Sequence, residues 1–216
     1  MTGRFDLRLY LVTDSRLAAG RPLEAIVEAA VRGGVTAVQL REKGAPTSVL
    51  IEKAKRLGAI LSPFGVPLIV NDDVEAARAA GAAGVHLGRA DCPIEEARRV
   101  LGAGAIIGLS VETRKQAAAA DALDVDYYGV SPIFPTPTKT DTGPSWGIEG
   151  LRALKKLTRR PLVAIGGINA ANAAAVMRAG ADGLAVVSAI MAAPDPGAAA
   201  GELCRIIDAA LSSRML

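Results

Sequence analysis

Short apolar runs alternate with longer, Ala-rich amphipathic stretches from one end of the chain to the other. The runs at 7–13, 35–40, 67–70, 84–87, 106–109, 127–130, 162–165 and 183–187 read as strands. Helical patterns fill the intervals near 23–32, 47–61, 74–80, 94–101, 114–123, 148–157, 170–179 and 198–211. Strands alternating with helices, at about 27 residues per unit, predict the α/β class and a (β/α)8 TIM barrel. Gly33-Gly34, Gly81, Gly102 and Gly180 stand where helices should stop. The phrases Gly81-Ala82-Ala83-Gly84-Val85 and Gly180-Ala181-Asp182-Gly183-Leu184 echo each other as helix, tight turn and strand. No linker or shift in composition divides the chain, so one domain over 1–216 is expected.

Composition narrows the class. Hydrophobic residues make up 50% of the chain and aromatics only 3%, so the core must be built from Ala, Val, Leu and Ile. The net charge of +3 is mild, and basic residues do not cluster with aromatics, which gives nucleic-acid binding little support. Cys92 and Cys204 lack metal-type spacing and read as small hydrophobes. No apolar run reaches the roughly 20 residues of a bilayer span. No secretory pattern opens the chain, so the expected location is cytoplasmic.

Polar chemistry gathers at the predicted C-terminal ends of the strands, the ligand end of a parallel barrel. Gln39-Leu40-Arg41-Glu42-Lys43 surfaces after the second run, with cations suited to an anionic ligand. Asn71-Asp72-Asp73 follows the third, and Asp91 a short loop after the fourth. Asp72 and Asp91 are hard oxygen donors on neighbouring loops and suit a Mg²⁺ shared with a phosphate. Asp73 reads instead as the cap of the next helix. The segment 131–147 is too long for a routine connection, and reads as a binding loop or lid unless it is an insertion. Within it Thr136, Thr138 and Lys139 could bond a phosphate. Gly166-Gly167 after the seventh run and Val187-Ser188 after the eighth suggest a second phosphate cradle. Ser110 either points at the same mouth or caps a helix. His86, the only histidine, reads as core packing or as support behind the site. There is no nucleophile–base pattern and no zinc pattern. Together these residues describe a transferase joining two small phosphorylated molecules, one of them a diphosphate.

Leu9-Tyr10-Leu11-Val12-Thr13-Asp14, Gln39 through Lys43, Asn71-Asp72-Asp73, Gly84-Val85-His86-Leu87-Gly88, Pro132-Ile133-Phe134-Pro135-Thr136-Pro137-Thr138-Lys139 and Ile165-Gly166-Gly167-Ile168 closely resemble the thiamine-phosphate synthase family. The resemblance spans nearly the whole chain in family order. It implies a (β/α)8 barrel, Mg²⁺, and coupling of 4-amino-2-methyl-5-pyrimidinylmethyl diphosphate to a thiazole ethyl phosphate with loss of pyrophosphate. Position by position it implies Mg²⁺ on Asp72 and Asp91. The pyrimidine diphosphate would lie on Gln39, Arg41, Lys43, Asn71, Ser110 and Lys139, with Leu40 and Glu42 also counted as substrate-binding. The thiazole phosphate would lie on Thr136, Thr138, Gly167, Val187 and Ser188, with Pro137 also counted as substrate-binding. Arg41, Lys43, Lys139 and Ser110 would carry the catalytic roles. One departure stands out: many relatives carry a histidine two residues past the serine, where this chain has Val111-Glu112-Thr113. A paralogous class on this fold that isomerises the thiazole, and a non-catalytic sensor of phosphorylated ligands, remain as alternatives. A homo-oligomer is left open.

Overall fold

In the computed structural model, which describes residues 5–136 and 143–214, eight parallel strands close into a TIM barrel in chain order. They are β1 (Leu9–Val12), β2 (Ala37–Leu40), β3 (Leu68–Asn71), β4 (Gly84–Leu87), β5 (Ile106–Val111), β6 (Tyr127–Val130), β7 (Leu162–Ile165) and β8 (Gly183–Val186). The barrel closes through β1 and β8, with Leu9, Tyr10 and Leu11 opposite Leu184, Ala185 and Val186. Around it lie α1 (Leu23–Arg32), α2 (Thr47–Leu61), α3 (Val74–Ala80), α4 (Ile94–Leu101), α5 (Arg114–Ala120), α6 (Gly147–Leu157), α7 (Ala173–Arg178), α8 (Ser188–Met191) and α9 (Pro196–Ser212). Among the described residues no helix is long and apolar enough to cross a membrane.

Alternation along each strand splits the buried residues into two cores. Leu9, Leu11, Val38, Leu40, Val85 and Leu87 face outward and pack under the helices. Helix α1 meets them with Leu23, Ile26, Val27, Ala30 and Val31, the spacing that places one stripe on the barrel. Tyr10, Val12, Ala37, Ile69, Ile106, Tyr127, Val163 and Ala185 face inward and fill the barrel itself. The bottom of the barrel is tied by polar groups. The Asp126 carboxylate accepts from the Ile107 N–H at 2.8 Å and from Arg98 at 3.0 Å. Asp182 does the same for the Leu162 N–H at 2.8 Å and Lys155 at 2.6 Å.

Some boundaries shift from the sequence reading for identifiable reasons. Strand β5 runs to Val111 and so contains Ser110, which is neither beyond the strand nor a helix cap. Thr113 caps α5 instead, in a reciprocal box with Gln116. Helix α7 starts at Ala173 because Asn169 and Asn172 spend their side chains on local turns, bonding the N–H groups of Ala171 and Asn169. Helix α9 starts at Pro196, capped by Asp195. The four-residue helix α8 has no counterpart in the hydrophobic pattern.

Candidate active site

The inward residues at the C-terminal ends of the strands line a cavity of about 480 Å³. Gln39, Arg41, Lys43, Asn71, Asp72, Asp91, Ser110, Thr136, Gly167, Val187 and Ser188 all line it. Segments distant in sequence therefore share one opening. Pro137, Thr138 and Lys139 lie outside the described residues.

Leu40 and Glu42, expected beside Gln39 and Arg41, are not part of this lining. Leu40 is wholly buried in the outer core, because consecutive strand residues point to opposite faces. Glu42 is turned toward α2, where its carboxylate accepts from the Lys53 ammonium at 2.7 Å and the Ser15 hydroxyl at 2.7 Å. Its role in the structure is to brace the Arg41–Lys43 segment between Ser15, in the turn after β1, and α2. The two residues flank the ligand-facing positions without sharing their direction.

Asp72 follows β3 with its backbone in the left-handed region, φ 64°. Aspartate tolerates that region better than most side chains. The conformation is held from both sides: the Asp72 N–H donates to the His86 carbonyl at 2.9 Å, and Asp73 caps α3 through the Ala76 N–H at 2.7 Å. Asp91 is fixed by the Gly88 N–H, which donates to its carboxylate at 2.6 Å. Burial, and then the adjoining Asp91 carboxyl, push the Asp72 carboxyl up to about 6, while Asn71 and Arg41 pull the other way. Two carboxyls held against each other on the rim of the cavity are a donor set that a divalent cation would relieve. Among the described residues no cluster of three or more His, Cys, Asp or Glu accompanies them. A metal there would draw its remaining oxygens from ligand and water, as Mg²⁺ commonly does.

On the far side, Gly166 and Gly167 take φ of 102° and 66°, which a side chain would strain. Their turn lies directly under the segment carrying Thr136. The Ile133 and Phe134 N–H groups donate to the Ile165 and Gly166 carbonyls, and a Cβ on Gly167 would stand 2.8 Å from that of Phe134. This close stacking holds Thr136 beside the β7 turn.

On the floor of the cavity the sequence reading gives Tyr10 and Tyr127 no role, and places His86 in the core or behind the site. Tyr10, His86 and Tyr127 line that floor and form a continuous hydrogen-bonded chain. The Gln39 amide donates to the Tyr10 hydroxyl at 3.1 Å, Tyr10 meets Tyr127 at 3.0 Å, Tyr127 meets His86 Nδ1 at 2.9 Å, and His86 Nε2 meets Ser110 Oγ at 2.9 Å. Five strands contribute one residue each. Both phenols are fully buried, and burial pushes their ionisation upward, so they stay protonated. Arg89, Glu112 and Gln116 also reach the lining. A signal for the tyrosines was present: in a chain with three tyrosines, Tyr10 and Tyr127 share strand parity with inward positions.

A family model described as thiamine monophosphate synthase matches residues 9–190. The chain belongs to the thiamine monophosphate synthase family. Among relatives in this family, a thiamine-phosphate synthase of Albidiferax ferrireducens is 57% identical over 94% of this chain and 93% of its own. One from Chloroflexus aurantiacus is 50% identical over 94% of this chain and 93% of its own. Among solved structures, a thiamine phosphate pyrophosphorylase from Pyrococcus furiosus superposes with a TM-score of 0.86 at 40% identity, covering 95% of this chain and 97% of the other. In this member of the thiamine monophosphate synthase family, acidic, basic and glycine-containing walls share one rim of the cavity.

Proposed function

We propose that this chain makes thiamine phosphate by joining 4-amino-2-methyl-5-pyrimidinylmethyl diphosphate to a thiazole ethyl phosphate, releasing pyrophosphate. The observation that carries the reading is the paired carboxyls of Asp72 and Asp91 on the same rim as Arg41 and Lys43. The diphosphate would lie against Arg41, Lys43 and Lys139, with Gln39, Asn71 and Ser110 around the pyrimidine. Thr136, Thr138, Gly167, Val187 and Ser188 would take the thiazole phosphate. Mg²⁺ bound by Asp72 and Asp91 would supply charge neutralisation to the diphosphate as a leaving group.

Among the described residues of the rim, the Ser110 hydroxyl lies beside a base, 2.9 Å from His86 Nε2, and a dissociative course needs no covalent role from it. The bond between the pyrimidinylmethyl carbon and the diphosphate oxygen breaks first, and pyrophosphate leaves with the electron pair. Arg41, Lys43 and Lys139 hold the departing charge in place. The amino group of the pyrimidine delocalises the cation, and the thiazole nitrogen lone pair forms the new C–N bond. The chain contributes positioning and fixed charge rather than a covalent partner.

The deciding experiment incubates both substrates with the purified protein, with and without Mg²⁺, and reads thiamine phosphate by chromatography. Product formed only with the metal is expected. Absence of product with both substrates and metal, for the thiazole with and without its carboxylate, would end this reading. Two further outcomes are expected. Lys139→Ala should lower kcat by about 100-fold with little change in the thiazole KM, because its charge follows the leaving group; a change confined to the thiazole KM would misassign it. Lys53→Ala, which leaves Glu42 only its Ser15 partner and loosens the Arg41–Lys43 segment, should raise the KM for the diphosphate by about fivefold in steady-state assays and spare the thiazole KM.

A further inference from the structure

The floor of the cavity adds a device that deepens the proposed function and rests on it for the identity of the ring that binds. We propose that the chain Gln39–Tyr10–Tyr127–His86–Ser110 runs in one fixed direction, which locks His86 as its neutral Nε2–H tautomer and aims the Ser110 hydroxyl proton and the Gln39 carbonyl oxygen into the cavity.

Proton counting leaves two self-consistent directions. Each phenol and the neutral imidazole has one proton to give along the chain, and each bond needs one donor. In the forward direction Gln39 donates to Tyr10, Tyr10 to Tyr127, Tyr127 to His86 Nδ1, and His86 Nε2–H to Ser110 Oγ. Ser110 then accepts from behind and keeps its own proton for the cavity. In the reverse direction Ser110 spends its proton on His86 and presents only lone pairs. The forward direction agrees with the Gln39 amide, whose nitrogen faces Tyr10 at 3.1 Å. It also agrees with the walls. Arg41, Lys43 and Arg89 line the cavity, which marks an acceptor-rich ligand, and a donating serine adds to that set.

The geometry is built to hold the imidazole in one pose. A Cβ on Gly129 would stand 2.7 Å from His86 Cε1, and one on Gly108 would run into Tyr127 and the His86 ring, so the two glycines make the room in which the ring fits. The rings of His86 and Tyr127 lie 5.5 Å apart, centroid to centroid.

The consequence is a polarity match. An aminopyrimidine offers N–H groups at its exocyclic amine and lone pairs at its ring nitrogens. A carbonyl acceptor on Gln39 and a hydroxyl donor on Ser110 complement it. Accepting from the amine also strengthens its electron donation as the cation forms. An oxo-pyrimidine, with acceptor and donor exchanged, would leave both groups unpaired. His86, Tyr10 and Tyr127 are thus positioning residues that act through Gln39 and Ser110.

His86 is the only histidine, so a long-range ¹⁵N–¹H spectrum of the labelled protein reads its tautomer without assignment. The expected result is a protonated Nε2 beside a bare Nδ1. Protonation at Nδ1, alone or together with Nε2, would overturn the proposal. In Tyr127→Phe the donor to Nδ1 is gone. That variant should lose the single tautomer and fall about tenfold in kcat, with the thiazole KM within about twofold of wild type. An unchanged tautomer and an unchanged kcat together would overturn it as well. If Tyr127→Phe does not fold, the wild-type spectrum decides alone. Because that spectrum needs no turnover, a protein showing Nε2–H but making no thiamine phosphate would refute the proposed function and leave the lock standing.

Discussion

Asp72→Asn is expected to lower Mg²⁺-supported formation of thiamine phosphate by about 10³-fold, with the fold intact. Asparagine is the informative replacement. It keeps the side-chain shape and tolerates the left-handed backbone, φ 64°, so the loss reads the charge alone. Asp72→Ala would add backbone strain of about 1 kcal/mol or more to the same loss and confuse the two. Asp91→Asn should behave alike, since an amide oxygen can still accept from the Gly88 N–H that positions the side chain at 2.6 Å. Removing both carboxylates should cost little more than removing one, because a cation needs the pair and the two losses describe one event. Initial rates across a Mg²⁺ titration, with circular dichroism as the folding control, provide the check. Wild-type rates and metal response in both single variants would refute the assignment of the pair.

The second large effect is on stability. Gly108→Ala adds one methyl group to β5 and is expected to cost about 3 kcal/mol, measured by urea unfolding. The methyl would point into the barrel, into space occupied by the Tyr127 ring and the His86 imidazole. Either ring could give way only toward the cavity it lines, which would break the hydrogen bonds that tie Tyr127 to Tyr10 and His86 to Ser110. A folded remnant should also lose activity out of proportion to its stability, because displacing His86 breaks the bond to Ser110. A variant as stable and as active as wild type would show that the interior is looser than these contacts demand.

The two predictions draw on different kinds of legibility. Asp72 and Asp91 could be singled out from the sequence because each follows an apolar run. In a parallel barrel that position alone brings an acidic group to the ligand rim. Gly108 carried no such sign. Its neighbours Ile106, Ile107 and Leu109 read as an ordinary buried strand, and only the ring of Tyr127 lying across it gives the missing side chain a purpose.

The Gln39–Lys43 run shows the same division within five residues. Its position after β2 was readable, and so was the suitability of its cations for an anion. Which of the five face the ligand was not. Gln39 points into the barrel and Leu40 into the helix layer, while Glu42 is captured by Lys53 eleven residues on. Likewise Ser110 was visible as a hydroxyl near a strand end, but the extra turn of pairing that keeps it inside β5, with Ser110 opposite Gly129, is a property of the sheet.

What the sequence determined by itself was the alternation of eight strands with helices, the family, and the rim on which polar residues gather. The alternation and the rim follow from hydrophobic period and from glycine and cap placement, which act over a few neighbouring residues, and the family from the resemblance of short motifs. What only the tertiary structure decided was convergence: the meeting of Asp72 with Asp91, and the polar thread through Gln39, Tyr10, Tyr127, His86 and Ser110. The physical reason is that strand register and barrel closure set which side chains share a level inside the barrel. Register is fixed by pairing between segments as far apart as β1 and β8, so no local window of the chain contains it.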